Sequence, residues 1–226
     1  MRSVVFDDRQ DAGRRLAARL VEHKLKNPIV LGLPRGGVPV AAEVAAGLAA
    51  PLDIVVVRKL GVPWQPELAI GAIASGGVRV LNDTMLSGIP ELNDAVIDGI
   101  AATELDELER RESLYRGDRP MLKLKGRDVV LVDDGLATGA TMRAAIEAVR
   151  SQQPSRIIVA IPVGSAETVR SIRKVVDDVV CLTIPAFFYA VGQCYRNFNQ
   201  TTDQEVRGLL QAARRRSALP EGLSGP

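Results

Sequence analysis

The chain has 226 residues, and its 29 Lys and Arg against 27 Asp and Glu give a formal net charge of +2. This length suits one domain that can bury a sizeable core. The small charge gives no support to a nucleic-acid partner, and no apolar run approaches the length needed to span a membrane. Cys181 and Cys194 have no C-x-x-C spacing, so no disulfide is expected and the cytoplasm is the default location.

The first half of the chain alternates between helical and extended patterns. Helical periodicity covers Asp11–Lys24, where the only histidine, His23, falls on the polar side and is expected at the surface. The pattern then predicts a strand at Ile29–Leu33, a helix at Val40–Ala50 and a second strand at Ile54–Lys59. An irregular loop is predicted at Gly61–Glu67, a hairpin at Leu68–Ile73 with Val78–Leu81, and a long charged helix at Glu91–Arg116.

The second half continues the alternation. Strands are predicted at Val129–Val132, Arg156–Pro162 and Val179–Pro185. Helices are predicted between them at Met142–Arg150 and at Ala166–Lys174, the latter capped by Ser165. A last helix follows, opened by a capping box of Thr202 and Glu205. Strands that alternate with helices predict an α/β fold in which a parallel sheet is flanked by helices. Ligands of such sheets bind at the carboxyl ends of the strands. The Pro- and Gly-rich tail, Leu219–Pro226, is expected to be disordered.

The stretch Val129–Thr141 carries the strongest functional signal. Four aliphatic residues predict a buried strand, Asp133 and Asp134 mark its carboxyl end, and a small Gly- and Thr-rich loop leads into a helix. Loop N–H groups and a helix amino terminus together favour a phosphate. The acid pair is a poor partner for the phosphate itself and suits a polyhydroxylated or metal-bound group beside it. A sugar phosphate satisfies both halves, whereas the alternative is an ordinary strand–turn–helix with solvated acids.

Three further segments could meet the same ligand. Leu33–Gly37 places one arginine and two glycines after the first strand, which suits an anion but also a plain turn. Arg58 and Lys59 end the second predicted strand, where two adjacent cations are unlikely to be buried without a partner. They either bind an anionic ligand or are simply charged side chains at the end of a strand. Ile184–Gln193 contains three adjacent aromatic residues, which either plug the core or form a stacking face for a planar ring.

These segments resemble the type I phosphoribosyltransferases over about residues 29–200. Val129–Thr141 resembles the 5-phosphoribosyl-1-pyrophosphate (PRPP) motif, and Pro34–Ala41 the pyrophosphate loop of the xanthine-guanine type. Arg58–Gly61 is similar to the Arg-Lys-x-Gly segment of adenine phosphoribosyltransferases, and Ile184–Gln193 to the base-binding hood of the hypoxanthine-guanine enzymes. The resemblance implies a type I phosphoribosyltransferase fold, a Rossmann-like twisted parallel sheet with a small hood. It also implies one domain over residues 1–218, with a core at about 27–185, the hood at about 186–200, and a tail at 219–226.

The resemblance also implies roles for individual residues. Asp133 and Asp134 would hold the ribose hydroxyls and, directly or through water, Mg²⁺. The residues expected to bind the phosphates of PRPP are Arg35, Gly36, Gly37, Arg58 and Lys59 for the pyrophosphate and Ala137, Thr138, Gly139, Ala140 and Thr141 for the 5′-phosphate. The catalytic set would be Asp133, Asp134, Arg35 and Lys59. Tyr189 would stack on the base with Phe188 as its rival, and Val191 would bind the base edge through its backbone. Glu67, in a mobile loop, is either a proton-transfer group or, as is commoner, a solvated loop carboxylate.

The implied function is transfer of the phosphoribosyl group from PRPP to a nitrogenous base, with purine-like bases favoured and pyrophosphate released. Two departures leave the base open. Ala137 stands where the oxopurine enzymes carry an acid, and Val175–Val176 stand where those enzymes carry a lysine. The mixture is most similar to a loosely characterised bacterial group of predicted phosphoribosyltransferases. A PRPP-binding regulator without transferase activity and an enzyme of nucleotide phosphorolysis or hydrolysis remain alternatives, and family analogy suggests a homodimer.

Overall fold

A computed structural model describes residues 6–86, 88–89 and 91–218. The strands in this part are Ile29–Gly32 (β1), Leu52–Ile54 (β2), Val57–Val62 (β3), Gln65–Ala74 (β4), Val78–Leu81 (β5), Asp128–Val132 (β6), Arg156–Val163 (β7) and Asp178–Thr183 (β8). The helices are Arg9–Leu20 (α1), Gly37–Gly47 (α2), Asp83–Leu86 (α3), Asp94–Arg116 (α4), Ala140–Arg150 (α5), Ala166–Ile172 (α6) and Asp203–Ala218 (α7). Short 3₁₀ turns lie at Val21–His23 and Val191–Cys194.

The central feature is a parallel sheet with the spatial order β2-β1-β6-β7-β8. Counted along the chain, its strands follow the doubly wound order 2-1-3-4-5, which reverses direction between β1 and β6. Every residue of β1 and β6 is buried, and Leu31 lies opposite Leu131 in the pairing. The predicted fold class is therefore confirmed, and the ligand crevice expected for such a sheet lies between the ends of β1 and β6.

The two faces of this sheet are covered by separate apolar layers. Val30 and Val130 point to one side, where they pack with residues of α1, α2 and α7. Ile29 and Leu131 point to the other side, where α5 and α6 cover them. This alternation follows from the period of two along a strand. Because both faces are covered, the strands are continuous aliphatic runs, and the 46% hydrophobic, 4% aromatic composition suits this architecture.

The predicted strand at Ile54–Lys59 is wrong in one respect: the run divides between two sheets. β2 ends at Ile54, and Val57 instead pairs antiparallel with Ala74 in a second sheet of order β3-β4-β5. The backbone N–H of Val55 still donates to Gly32 O at 3.1 Å, whereas that of Val56 donates to the Ser75 hydroxyl at 2.9 Å. A continuous apolar run contains no sign of this change of partner.

The irregular loop predicted at Gly61–Glu67 is also wrong. β3 continues to Val62 and β4 begins at Gln65, so this stretch forms the tip of a hairpin, where Trp64 is exposed. The side chain of Glu67 lies outside what the structure describes, as does the whole predicted tail at Leu219–Pro226. The hairpin predicted for β4 and β5 is confirmed.

The predicted N-caps at Ser165 and Thr202 are confirmed by one hydrogen bond each. The side chain of Ser165 accepts from the N–H of Thr168, and the N–H of Glu205 donates to the Thr202 hydroxyl at 3.1 Å. His23 is less exposed than predicted, because its Nδ1 lies 2.8 Å from Asp178 Oδ2. Within the described residues, every helix is too short or too polar to cross a membrane.

Candidate active site

Two loops that are far apart in sequence meet at the crevice between β1 and β6. A Cβ added to Gly36 would lie 2.0 Å from Asp134 Oδ2, and one added to Gly37 would lie 2.8 Å from the Cα of Asp133. Both glycines are therefore required by the close approach of the loop after β1 to the acid pair. The peptide bond between Pro34 and Arg35, at the start of this loop, is cis.

The acid pair is held by a small set of hydrogen bonds. The N–H of Asp134 donates to Asp133 Oδ1 at 2.8 Å, and Arg9 Nε donates to Asp134 Oδ2 at 2.8 Å. The Tyr195 hydroxyl donates to the backbone oxygen of Asp134 at 2.6 Å. The side chains of Arg9 and Asp134 are only 11% and 15% exposed. Asp134 is thus held at its carboxylate by Arg9 and at its backbone by Tyr195, whereas the carboxylate of Asp133 is held by the N–H of Asp134.

The electrostatics of the acid pair are unfavourable in the unliganded protein. Burial and the nearby Asp134 carboxylate raise the pKa of Asp133 well above its ordinary value. Burial also raises the pKa of Asp134, although the hydrogen bond from Arg9 opposes that shift. Groups that donate hydrogen bonds or carry positive charge would relieve this cost. Buried, like-charged acids in a crevice are typical of functional sites.

The small loop after the acids leads into α5. Gly139 has a φ of +79° and precedes the first residue of the helix, so the chain turns sharply into α5. The Thr168 hydroxyl donates to Ala137 O at 2.6 Å, and a Cβ at Gly139 would lie 2.6 Å from Thr168 Cγ2. Ala137, Thr138, Ala140 and Thr141 are exposed. The loop is thus braced from behind by α6 and open to solvent in front, as an anion site requires.

The structure separates the two cations Arg58 and Lys59. Neighbouring residues of a strand point to opposite faces of the sheet. Arg58 Nε donates to Glu104 Oε2 of α4 at 2.7 Å. Lys59 lines a cleft of about 420 Å³ together with Ala140 and Thr141. Lys59 therefore lies near the phosphate-type loop, whereas Arg58 is engaged in an ion pair.

Arg35 is only loosely held by its neighbours. Its side chain is 38% exposed, and its Nη1 lies 3.9 Å from Asp203 Oδ1. That carboxylate already accepts a hydrogen bond from the Tyr115 hydroxyl. Because Arg35 directly precedes the two glycines that lie on the acids, a bound anion at this loop would be within the reach of an adjustable guanidinium.

The aromatic residues of the hood differ in burial. Tyr189 is 86% exposed, while Phe188 packs against the cluster of Phe6 and Tyr195. Gln193 holds this segment, since its Oε1 accepts from the N–H of Tyr189 at 2.9 Å and its Nε2 donates to Phe187 O at 2.7 Å.

Val191 of the hood packs against the acid loop. A Cβ added to Gly135 would lie 2.4 Å from Val191 Cγ1. Its side chain therefore packs directly on the segment that carries the acids. Among the predicted base-binding residues, Tyr189 is the one with an exposed ring, and Val191 links the hood to the site.

Sequence reasoning missed Arg9 and Tyr195, which both bind Asp134. One signal for Arg9 was present, because it precedes Ala12 and Leu16 at helical spacing and so lies on the buried face of α1. A buried arginine needs a buried acid. Tyr195 gave no comparable signal, since its partner is a backbone oxygen 61 residues away.

The doubly wound sheet, the acid pair and the phosphate-type loop at its reversal point define the class of a type I phosphoribosyltransferase. Residues 6–199 match the family model of the phosphoribosyl transferase domain. The chain therefore belongs to the phosphoribosyl transferase family, as the sequence motifs predicted.

Relatives with 45% to 53% sequence identity support this family assignment. Two proteins of Mycobacterium tuberculosis, from strains H37Rv and CDC 1551, are both named "Putative phosphoribosyl transferase" and are 53% identical over 211 residues. The match covers 93% of this chain and 47% of each relative, so the chain spans about half their length. The crystal structure of TT1426 from Thermus thermophilus is 45% identical with a TM-score of 0.81, covering 92% of this chain and 98% of that one.

Proposed function

We propose that this chain transfers the 5-phosphoribosyl group of PRPP to a nitrogenous base and releases pyrophosphate. One observation carries the proposal: the two-glycine loop after β1 lies directly on Asp133 and Asp134, with a phosphate-type loop continuing from the same acids. A ligand in this crevice would meet an anion site, an acid pair and a second anion site in succession. PRPP presents a 5′-phosphate, ribose hydroxyls and a pyrophosphate in that order.

Each group would contribute through position and charge. Asp133 and Asp134 would accept hydrogen bonds from the ribose hydroxyls and stabilise positive charge that develops on the ring. The loop of residues 137–141 would hold the 5′-phosphate. Arg35 and Lys59 would stabilise the charge on the departing pyrophosphate. Holding the base and C1′ of PRPP together would supply much of the rate enhancement, because it removes the entropic cost of their encounter.

Mg²⁺ fits the donor set as a companion of the substrate. Among the described residues there is no group of three or more His, Cys, Asp and Glu side chains suited to a metal ion. Mg²⁺ commonly binds through substrate phosphates, waters and one or two carboxylates. Asp133 and Asp134 could provide those carboxylates. When bound, Mg²⁺ would neutralise charge on the pyrophosphate.

The hood would bind the acceptor base. The exposed Tyr189 ring is available for stacking, and the backbone near Val191 lies beside the acid loop. Phe188 is the weaker candidate because it packs against the Phe6 and Tyr195 cluster. A planar, purine-like base is favoured. A homodimer remains a proposal by family analogy, and light scattering of the purified chain would test it.

Pyrophosphate release from PRPP, measured across a panel of purine and pyrimidine bases, tests the proposal. We expect turnover with at least one base, and the paired change Asp133→Asn with Asp134→Asn should lower kcat/KM at least a hundredfold. A matched control exists in Asp177 and Asp178, an adjacent acid pair at the amino end of β8. Their double change to Asn should leave the activity of the folded protein unchanged.

The outcomes separate the alternatives. Tight PRPP binding without turnover on any base would favour a regulator. Turnover of nucleotides with phosphate or water, in the absence of PRPP, would favour phosphorolysis or hydrolysis. Equal PRPP affinity and turnover in the Asp133 and Asp134 variant would contradict the assignment of the site.

A further inference from the structure

Arg9 is a buried arginine with three kinds of partner. Its Nε donates to Asp134 Oδ2 at 2.8 Å and its Nη1 donates to Asn199 O at 2.7 Å. Its Cζ lies 3.9 Å from the ring centroid of Phe198. The planar guanidinium thus uses its edge for two hydrogen bonds and its face for stacking, which a lysine could not reproduce.

The partners of Arg9 belong to two different parts of the site. Asp134 is one of the proposed ribose ligands, whereas Phe198 and Asn199 belong to the hood. A second route joins the same parts, because the Tyr195 ring lies 4.9 Å from that of Phe198 and its hydroxyl binds the Asp134 backbone. Within the described residues, Arg9 is the one cation hydrogen-bonded to the acid pair. The contacts therefore link the orientation of Asp134 to the position of residues 195–199.

We propose that Arg9 is a positioning residue that couples the base hood to the ribose site. This inference rests on the proposed phosphoribosyl transfer. Arg9 holds the Asp134 carboxylate at a fixed angle to the ribose and ties that angle to the hood through Phe198 and Asn199. A shift of the hood on binding a base then changes how well Asp134 accepts the ribose hydroxyl. By thermodynamic reciprocity, the effect of the base on PRPP affinity through this contact equals the effect of PRPP on base affinity.

A purely structural role is the rival explanation, in which Arg9 only neutralises a buried acid. Arg9→Lys separates the two roles, because lysine keeps the charge but cannot hold Asp134, Asn199 and the Phe198 face together. Arg15 is a matched control on the same helix. It pairs with Asp11 and lies 5.4 Å from the Phe6 ring, away from the acid pair.

The experiment compares Arg9→Lys, Arg15→Lys and the wild-type chain. PRPP binding with Mg²⁺ is measured by calorimetry in the absence of base, because PRPP and the base would react. The coupling is measured as the dependence of the KM for PRPP on the concentration of the base that the wild type uses fastest, together with kcat and the melting temperature. For Arg9→Lys we expect the Kd for PRPP and the KM to rise about ten- to a hundredfold, the range for loss of a hydrogen bond to a charged group. We also expect the base to lose its effect on PRPP affinity, while Arg15→Lys behaves as wild type.

Several results would overturn the inference. An Arg9→Lys protein with wild-type PRPP affinity, kcat and base coupling would do so, even if its melting temperature fell. If Arg9→Lys does not fold, Phe198→Leu replaces it, because this change removes the ring under the guanidinium and retains Arg9. Unchanged PRPP affinity and coupling in Phe198→Leu would likewise contradict the proposal. A wild-type chain that neither binds PRPP nor releases pyrophosphate would contradict the proposed function itself. That result differs from an active wild-type enzyme in which the Arg9 variants change neither PRPP affinity nor coupling, which would contradict only the role of Arg9.

Discussion

Strand β6 has a fully buried acid at its amino end and a partly buried acid just beyond its carboxyl end, in opposite electrostatic situations. Asp128, at the amino end, is 1% exposed and accepts hydrogen bonds from Arg156 Nη2 at 2.6 Å and from the Lys26 N–H at 2.8 Å. Burial alone would raise the pKa of Asp128, but these two partners outweigh it and hold the pKa below the ordinary value.

At the carboxyl end, Asp133 accepts from the N–H of Asp134 and faces a second carboxylate. Burial and that like charge hold the pKa of Asp133 well above its ordinary value. The fold thus supplies partners for the acid that stabilises it and leaves the acid of the site short of partners. A ligand rich in hydroxyls or cations would supply them.

Removing the paired acid should have the largest effect on stability. Asp128→Asn leaves Arg156 without its charged partner, so we expect a loss of about 2–3 kcal/mol in the free energy of unfolding. Urea titration at neutral pH measures this loss. Because the folded-state pKa of Asp128 is lowered, its contribution is present above the unfolded pKa and is lost as pH falls through the folded pKa. The deficit should therefore shrink in acid, and an equal deficit at all pH values would contradict the role of ionisation.

Removing the unpaired acid should have the reverse effect. Because the folded-state pKa of Asp133 is raised, its contribution to stability is present below the unfolded pKa, about 4, and is lost as pH rises through the folded pKa. Asp133→Asn removes this loss, so we expect the variant to be more stable than wild type at pH 8, and by a smaller margin at pH 4. Urea titrations in EDTA measure the difference. A variant less stable than wild type at pH 8 would show that Asp133 is already satisfied.

The smallest expected effect concerns the brace behind the phosphate-type loop. Thr168→Val keeps the shape of the side chain but removes the hydroxyl that donates to Ala137 O. We expect the KM for PRPP to rise severalfold and the stability to fall by about 1 kcal/mol. Thr168→Ser, which retains the hydroxyl, is the control and should keep a KM near that of wild type. Equal KM values in the two variants would mean that the hydroxyl does not position the loop.

Most of the parallel core could be predicted from the sequence, because its information is local. β1 and β6 are unbroken aliphatic runs with small loops after them, and Ser165 and Thr202 mark helix starts directly. The acid pair and its loop could be predicted from the sequence for the same reason, since all their residues lie within Val129–Thr141.

The rest depends on contacts between distant residues. Val55 and Val56 look alike in sequence, yet the N–H of Val55 donates to Gly32 of the parallel sheet and that of Val56 donates to Ser75 of the hairpin. Side chains alternate between the two faces of β3, so Arg58 faces α4 while Lys59 faces the cleft. These directions could be predicted only after the bounds and pairing of the strand were known. Arg9 and Asp134 lie 125 residues apart, so their pairing could not be found from spacing.

The contact at Gly36 limits how this site can be redesigned. Even a methyl group there would overlap the Asp134 carboxylate, so positions 36 and 134 cannot vary independently. Room for a bulkier ligand has to come from elsewhere in the site. The hood offers it, since the Tyr189 ring stands almost wholly in solvent and can be exchanged without disturbing the packing beneath.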